Sequence, residues 1–146
     1  MIKLVMITNI KGGRNMAAEK TIKYSRQREA IVNFLKGRKD HPTADFIYRH
    51  IREDYPNISL GTVYRNLALL EELGMVAKIS CNDGNEHYDP NVEPHYHFIC
   101  RDCGSVLDIE VSNLDFINTL AEKDFEGKIY GHNAYFYGIC KDCLKK

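Results

Sequence analysis

The chain lacks net charge, a long apolar run, an internal repeat and any low-complexity tract. Each absence removes a class of protein. With 44% hydrophobic and 27% charged residues in 146, the composition is that of an ordinary globular fold, which excludes disordered and fibrous architectures. The opening MIKLVMITNI is too short to span a bilayer, and no small-residue cleavage site follows it, so the sequence reads as cytoplasmic. The zero net charge hides a division. Met1 to Lys78 carries 14 basic and 8 acidic residues, and the remainder carries 6 and 12. A basic half joined to an acidic half suits a polyanion partner for the first and a different task for the second, although solvated surface charge alone produces such splits too.

Prolines are scarce, four in all, and two of them fall in DPNVEP, residues 89–94. Proline restricts the residue before it and removes a ladder donor, so this stretch is the expected linker. The expected organisation is therefore a flexible lead over 1–23, with Met16 an alternative start, a first domain over 24–88, the linker over 89–94 and a second domain over 95–146.

Three helices are expected in the first domain. Arg26 to Lys36 follows Ser25 as N-cap, Ala44 to Glu53 follows Thr43, and Leu60 to Leu73 follows Ser59 and stops at Gly74. In the second, Phe46, Ile47, His50 and Ile51 share a face. In the third, Leu60, Val63, Leu67 and Leu70 form one stripe, while Thr62 and Arg65 project away from it, suited to base edges. MVAKIS and NEHYD then read as strands around a Cys-Asn-Asp-Gly-Asn turn. Three helices and a hairpin make a winged helix-turn-helix. Beyond the linker, HYHFIC, VLDIEV and AYFYGIC read as strands, with a helix from about Leu114 to Lys123. The fold class is α+β, and the second domain is small enough to need a staple.

Cys100-Arg-Asp-Cys103 and Cys140-Lys-Asp-Cys143 supply that staple. Each CxxC places two thiolates on one side of a turn, and four thiolates close a tetrahedral zinc site with no open position. Disulfides do not suit a cytoplasmic chain, and a thioredoxin-like redox pair lacks its βαβ context. Cys81 reads as an ordinary thiol. His95 and His97, two apart on an expected strand, face one way, with Asp89 before them and Asp108 on the next strand. Such a mixed nitrogen and oxygen set suits Fe(II), Mn(II) or Zn(II), though an HxH pair occurs equally as surface or packing histidines.

These residues carry a resemblance. SRQREAI, HPTAD, SLGTVYRNLALLEELGMV, HYHFIC-RDCG and YGICKDC, in this order from about Tyr24 to Cys143, resemble the ferric uptake regulator (Fur) superfamily of dimeric, metal-dependent bacterial repressors, and most of all its peroxide-responsive, PerR-like branch. The resemblance implies a homodimer on double-stranded operator DNA, a regulator rather than an enzyme, with structural zinc on Cys100, Cys103, Cys140 and Cys143. It implies a regulatory Fe(II) or Mn(II) site made of His41, Asp89, His95, His97 and Asp108. It also implies operator contacts from Thr62, Tyr64 and Arg65.

Within the family, Asp89 points to the peroxide-responsive branch, where iron members carry Glu and zinc members often Cys. That branch senses peroxide through iron-catalysed oxidation of a ligand histidine, here His41 or His95. The alternative is an iron- or zinc-availability repressor without ligand oxidation; a thiol redox enzyme or a zinc-stapled interaction module explains fewer of the motifs. The additional metal site of iron regulators is incomplete, because Pro94 and Tyr96 stand at two of its positions while Asp115 and His132 match the others. His87, two residues before Asp89, is a substitute ligand on the same strand face.

Overall fold

A computed structural model describes residues 22–146 apart from Asn82, Asp83 and Asn113. Most of the expected lead and the alternative start at Met16 therefore lie outside the described residues. The order of elements is α1 (Arg26–Leu35), α2 (Ala44–Asp54), α3 (Leu60–Glu72), β1 (Ala77–Ser80), β2 (Glu86–Asp89), β3 (Tyr96–Cys100), β4 (Val106–Ile109), α4 (Phe116–Glu122) and β5 (Tyr135–Gly138), then a 3₁₀ turn at Cys143–Lys145. Among the described residues no helix is long and apolar enough to cross a membrane.

The three expected caps form. Ser25, Thr43 and Ser59 each accept the backbone N–H three residues on, at 3.3, 3.3 and 3.1 Å, satisfying donors that a helix start leaves open. Helix α3 ends where Gly74 turns to a φ of 65°, a conformation that costs glycine little. The Met75 N–H then bonds the Leu70 carbonyl and the Gly74 N–H that of Glu71, both at 2.9 Å. This closure directs the chain into β1.

Helices α1–α3 bury Ile31, Leu35, Ile47, Ile51, Val63, Leu67 and Leu70 against each other, with Val76 and Tyr88 from the hairpin completing the cluster. The shared α2 face divides into a buried stripe and an exposed edge. Ala44, Ile47 and Ile51 are the buried stripe, whereas Phe46 and His50 are exposed at its edge. They pack on each other and on Phe34, under the Arg38 guanidinium. Their four-residue spacing holds them on one flank, but periodicity gives the direction of a helix face and not its width. Leu60, likewise, is only half-buried at the open end of the α3 stripe. Helix α4 is shorter than expected, beginning at Phe116 after a turn from Leu114.

Strands β1 and β2 pair antiparallel, from Ala77 opposite Asp89 to Ser80 opposite Glu86. The second sheet has the order β4-β3-β5, with β4 antiparallel and β5 parallel to β3. Ile79 and Cys81 of the hairpin pack against Val106 and Ile99 of this sheet. That contact brings the end of β2 close to β3 and β4.

Candidate metal centres and nucleic-acid surface

The four expected sulfur positions converge. Cys100 ends β3, the chain turns through Gly104 (φ 72°), and Cys103 comes back beside it. Parallel pairing sets Cys100 opposite Gly138, so Cys140 follows β5 to the same point, where its N–H lies 3.3 Å from the Cys100 sulfur. Cys143 opens the next turn. One atom from each residue lies within 4.8 Å of every other, and the sulfurs of Cys103 and Cys140 are 3.8 Å apart. Zinc–sulfur bonds of about 2.3 Å give a tetrahedron with an edge of about 3.8 Å, so the set fits zinc. None of the five cysteines forms a disulfide. Backbone N–H groups of Cys103 and Cys140 hold the Cys100 thiol down to about 6, while neighbouring Cys140 and burial push Cys143 up to about 12. Thiolates this close ionise together only around a cation.

The second cluster draws on separated parts of the chain. His41 lies between α1 and α2, Asp89 ends β2, His95 stands one residue before β3, His97 lies in β3, and Asp108 lies opposite it in β4. Their donor atoms again fall within 4.8 Å of one another. Asp89 Oδ2 is 2.9 Å from His95 Nε2, 3.1 Å from His97 Nε2 and 3.3 Å from His41 Nε2. Asp108 Oδ1 is 2.9, 3.2 and 3.7 Å from the Nε2 atoms of His41, His95 and His97. Ligand bonds of about 2.1 Å place neighbouring donors about 3.0 Å apart, which most of these separations match.

The proton positions strengthen the fit. His41 Nδ1 lies 3.0 Å from the Val106 carbonyl and His95 Nδ1 lies 2.7 Å from that of Glu93. A carbonyl only accepts, so both rings carry their proton on Nδ1 and leave Nε2 a bare lone pair. Those two Nε2 atoms are buried and form no hydrogen bond. They stand close to carboxylate oxygens but outside hydrogen-bonding directions. Asp89 Oδ1 is taken by the Asn91 N–H at 2.8 Å, leaving Oδ2 for the cluster. Burial pulls the His41 imidazole down, but Asp89 and Asp108 outweigh it and the net shift is up. Burial raises the Asp89 carboxyl, yet His41, His97 and the Asn91 N–H hold it well below the usual carboxylate range. Both shifts favour positive charge at the centre, and three nitrogens with two carboxylate oxygens suit a divalent Fe, Mn or Zn ion.

His87 is not among these donors. Its Nδ1 lies 2.6 Å from the His41 carbonyl, so it donates there and supports a member of the cluster. His132 has both ring nitrogens engaged, Nε2 with the Tyr96 hydroxyl at 3.0 Å and Nδ1 with Asn118 Oδ1 at 2.8 Å. Among the described residues, the sulfur and histidine–carboxylate sets are the two groups with metal-holding geometry. Sequence reasoning missed the carbonyls of Val106 and Glu93 and the Asn91 N–H, since backbone atoms leave no compositional trace.

On α3, Tyr64 and Arg65 are exposed and Thr62 is half-buried. Thr62 does not project freely. Its hydroxyl meets Ser59 Oγ at 2.9 Å and accepts from the Arg65 guanidinium at 3.0 Å, folding that side chain back along the helix start.

Comparison with known proteins identifies relatives over most of the chain. Residues 19–137 match the model of the ferric uptake regulator family. The peroxide-responsive repressor PerR of Staphylococcus saprophyticus is 37% identical over 125 residues, covering 86% of this chain and 84% of the relative. Among solved structures, the Helicobacter pylori ferric uptake regulator Fur, which has three functional metal-binding sites, superposes with a TM-score of 0.75 at 26% identity, over 86% of this chain and 84% of that one. The Campylobacter jejuni peroxide stress regulator gives 0.66 at 33% identity, over 80% and 88%. With its α+β fold and paired metal-type clusters, the chain belongs to the ferric uptake regulator family of metal-dependent repressors.

Proposed function

We propose that the chain is a cytoplasmic, homodimeric repressor that binds operator DNA through residues 24–88 and responds to hydrogen peroxide at its histidine–carboxylate site. Zinc on Cys100, Cys103, Cys140 and Cys143 holds the 95–146 domain together. Fe(II) or Mn(II) occupies His41, Asp89, His95, His97 and Asp108. One observation carries the reading: three imidazoles and two carboxylates, brought together from before, within and after the 89–94 segment, converge on one point, where the Nε2 atoms of His41 and His95 are buried without a hydrogen-bond partner.

A site shared in this way converts binding energy into preference for one arrangement of the DNA-binding part. Two copies then present α3 to successive half-sites, with Thr62, Tyr64 and Arg65 facing bases and phosphates. For Arg65 this requires release from Thr62, a contact an incoming guanine edge or phosphate replaces. Basic residues of the first half supply phosphate contacts, so affinity falls steeply with salt.

Peroxide sensing is supported by Asp89 at the branch-distinguishing position and by the two peroxide-responsive relatives. Fe(II) held by these five residues would supply the electron that cleaves the peroxide O–O bond; in the net change a ring C–H of His41 or His95 is exchanged for a carbon–oxygen bond, the ring gains one oxygen atom, and the peroxide's second oxygen leaves as water. The protein's part is to hold both rings by Nδ1 with Nε2 in the site. An oxidised ring loses ligand strength and the domains lose their tie. Mn(II) supports DNA binding without this chemistry. The similarity to the Helicobacter pylori Fur supports a second reading, sensing of metal availability alone. Low peroxide applied to Fe(II)- and Mn(II)-loaded protein separates them. The first reading expects one added oxygen on the His41 or His95 peptide with iron only, together with loss of operator binding. Unmodified peptides and retained binding in the iron form reject it.

A further inference from the structure

His41 is the only non-glycine among the described residues with a positive φ, at 46°. This left-handed conformation is uncommon for a side chain larger than glycine, although histidine enters it more readily than most. Such a residue persists where its surroundings hold it. Here the holding contacts can be named. The 41–43 segment lies along β2, with Thr43 bridged to His87 and the Tyr88 N–H bonded to the Pro42 carbonyl at 3.0 Å. The His41 carbonyl itself receives the side chain of His87, Nδ1 to oxygen at 2.6 Å. On its other side, the His41 ring is fixed by Val106.

We propose that His87 is a positioning residue for the regulatory metal site. It donates its Nδ1–H to the His41 carbonyl and so fixes the left-handed turn that aims His41 Nε2 at the carboxylates. The inference rests on the reading of His41, Asp89, His95, His97 and Asp108 as that site. Position on β2 adds to the argument. His87 precedes Asp89 by two residues on the same short strand, so it ties the backbone of one donor residue to the strand that carries another. Without it, His41 relaxes toward ordinary backbone angles and its ring leaves the common point. The cluster then keeps four donors of five. Outer contacts of this kind change metal affinity about 10- to 100-fold when removed.

The test measures Mn(II) affinity of the zinc-loaded full chain by titration, for wild type, His87→Leu, His87→Asn and His97→Ala. His87→Leu removes the donor, while His87→Asn keeps an N–H near the Nδ1 position. The expected result is Mn(II) binding weakened about 10- to 100-fold in His87→Leu and recovered to within a few-fold in His87→Asn, with zinc content and melting temperature close to wild type in both. Wild-type affinity in His87→Leu overturns the proposal, as does His87→Asn binding as weakly as His87→Leu while still folded. A failure of the site reading looks different: wild type and His97→Ala then bind Mn(II) alike. Should His87→Leu not fold, nitrogen NMR of histidine-labelled wild-type protein decides. A proton on His87 Nδ1 supports the contact, and a proton confined to Nε2 overturns it.

Discussion

Strand β3 serves both clusters, carrying His97 near its start and Cys100 at its end, yet the two centres are built on opposite plans. The sulfur set is gathered by two tight turns on paired strands β3 and β5, all of it within 95–146. Its donors are four of a kind and leave no open position. The histidine–carboxylate set collects a loop before α2, the end of β2, and strands β3 and β4. Two of its rings are aimed by backbone carbonyls, His41 by that of Val106, 65 residues away, and His95 by that of neighbouring Glu93. Local, uniform construction gives a fastening that stays shut. Construction from separated segments makes occupancy and conformation depend on each other, which is what a regulator needs.

The sharpest way to break this contrast is to remove one ligand from each centre. Cys140→Ser should abolish zinc retention and cooperative folding of the 95–146 region, since structural zinc sites contribute about 10–16 kcal/mol of apparent binding free energy. Metal analysis and a thermal melt followed by circular dichroism check it; a zinc-free variant melting like wild type would refute the fastening role. His97→Ala should leave zinc and melting nearly unchanged while Mn(II)-dependent operator binding disappears, read by metal titration and by mobility shift with and without Mn(II). Equal losses of zinc in the two variants would erase the distinction.

Arg65→Ala lies outside both centres. It should weaken operator binding by about 1–3 kcal/mol without changing the Mn(II) titration. Unchanged operator affinity would remove α3 as the reading element. The smallest effect is expected from Ser59→Ala, which deletes the α3 cap and the hydroxyl that meets Thr62, at a cost of about 1 kcal/mol. Chemical denaturation should register that loss, with metal content of both centres as in wild type.

The two plans also explain how much of each centre is legible in the sequence. Matched CxxC pairs declare themselves because the ligands lie on short turns, where sequence spacing is nearly spatial spacing. His95 and His97 were readable for the same reason, through the two-residue period of extended chain, even though His95 stands just ahead of β3. His41 was not. It lies 48 residues from Asp89, and only resemblance to a family joined them. Strand alternation puts His87 beside Asp89 and so suggests a substitute ligand; the bridge from Thr43 to His87 sets the loop before α2 against it instead. The spacing that groups Phe46 and His50 with Ile47 and Ile51 marks a direction and cannot say where a neighbouring helix ends, so it does not separate the buried pair from the exposed one.

His41 and His95 differ in one further respect. The side chain of His41 has no solvent exposure, whereas one-fifth of that of His95 is open. Any reagent arriving from bulk water therefore meets His95 first. Damage that begins at the cluster itself carries no such bias, so the ratio of marks on the two rings records where an oxidant was born.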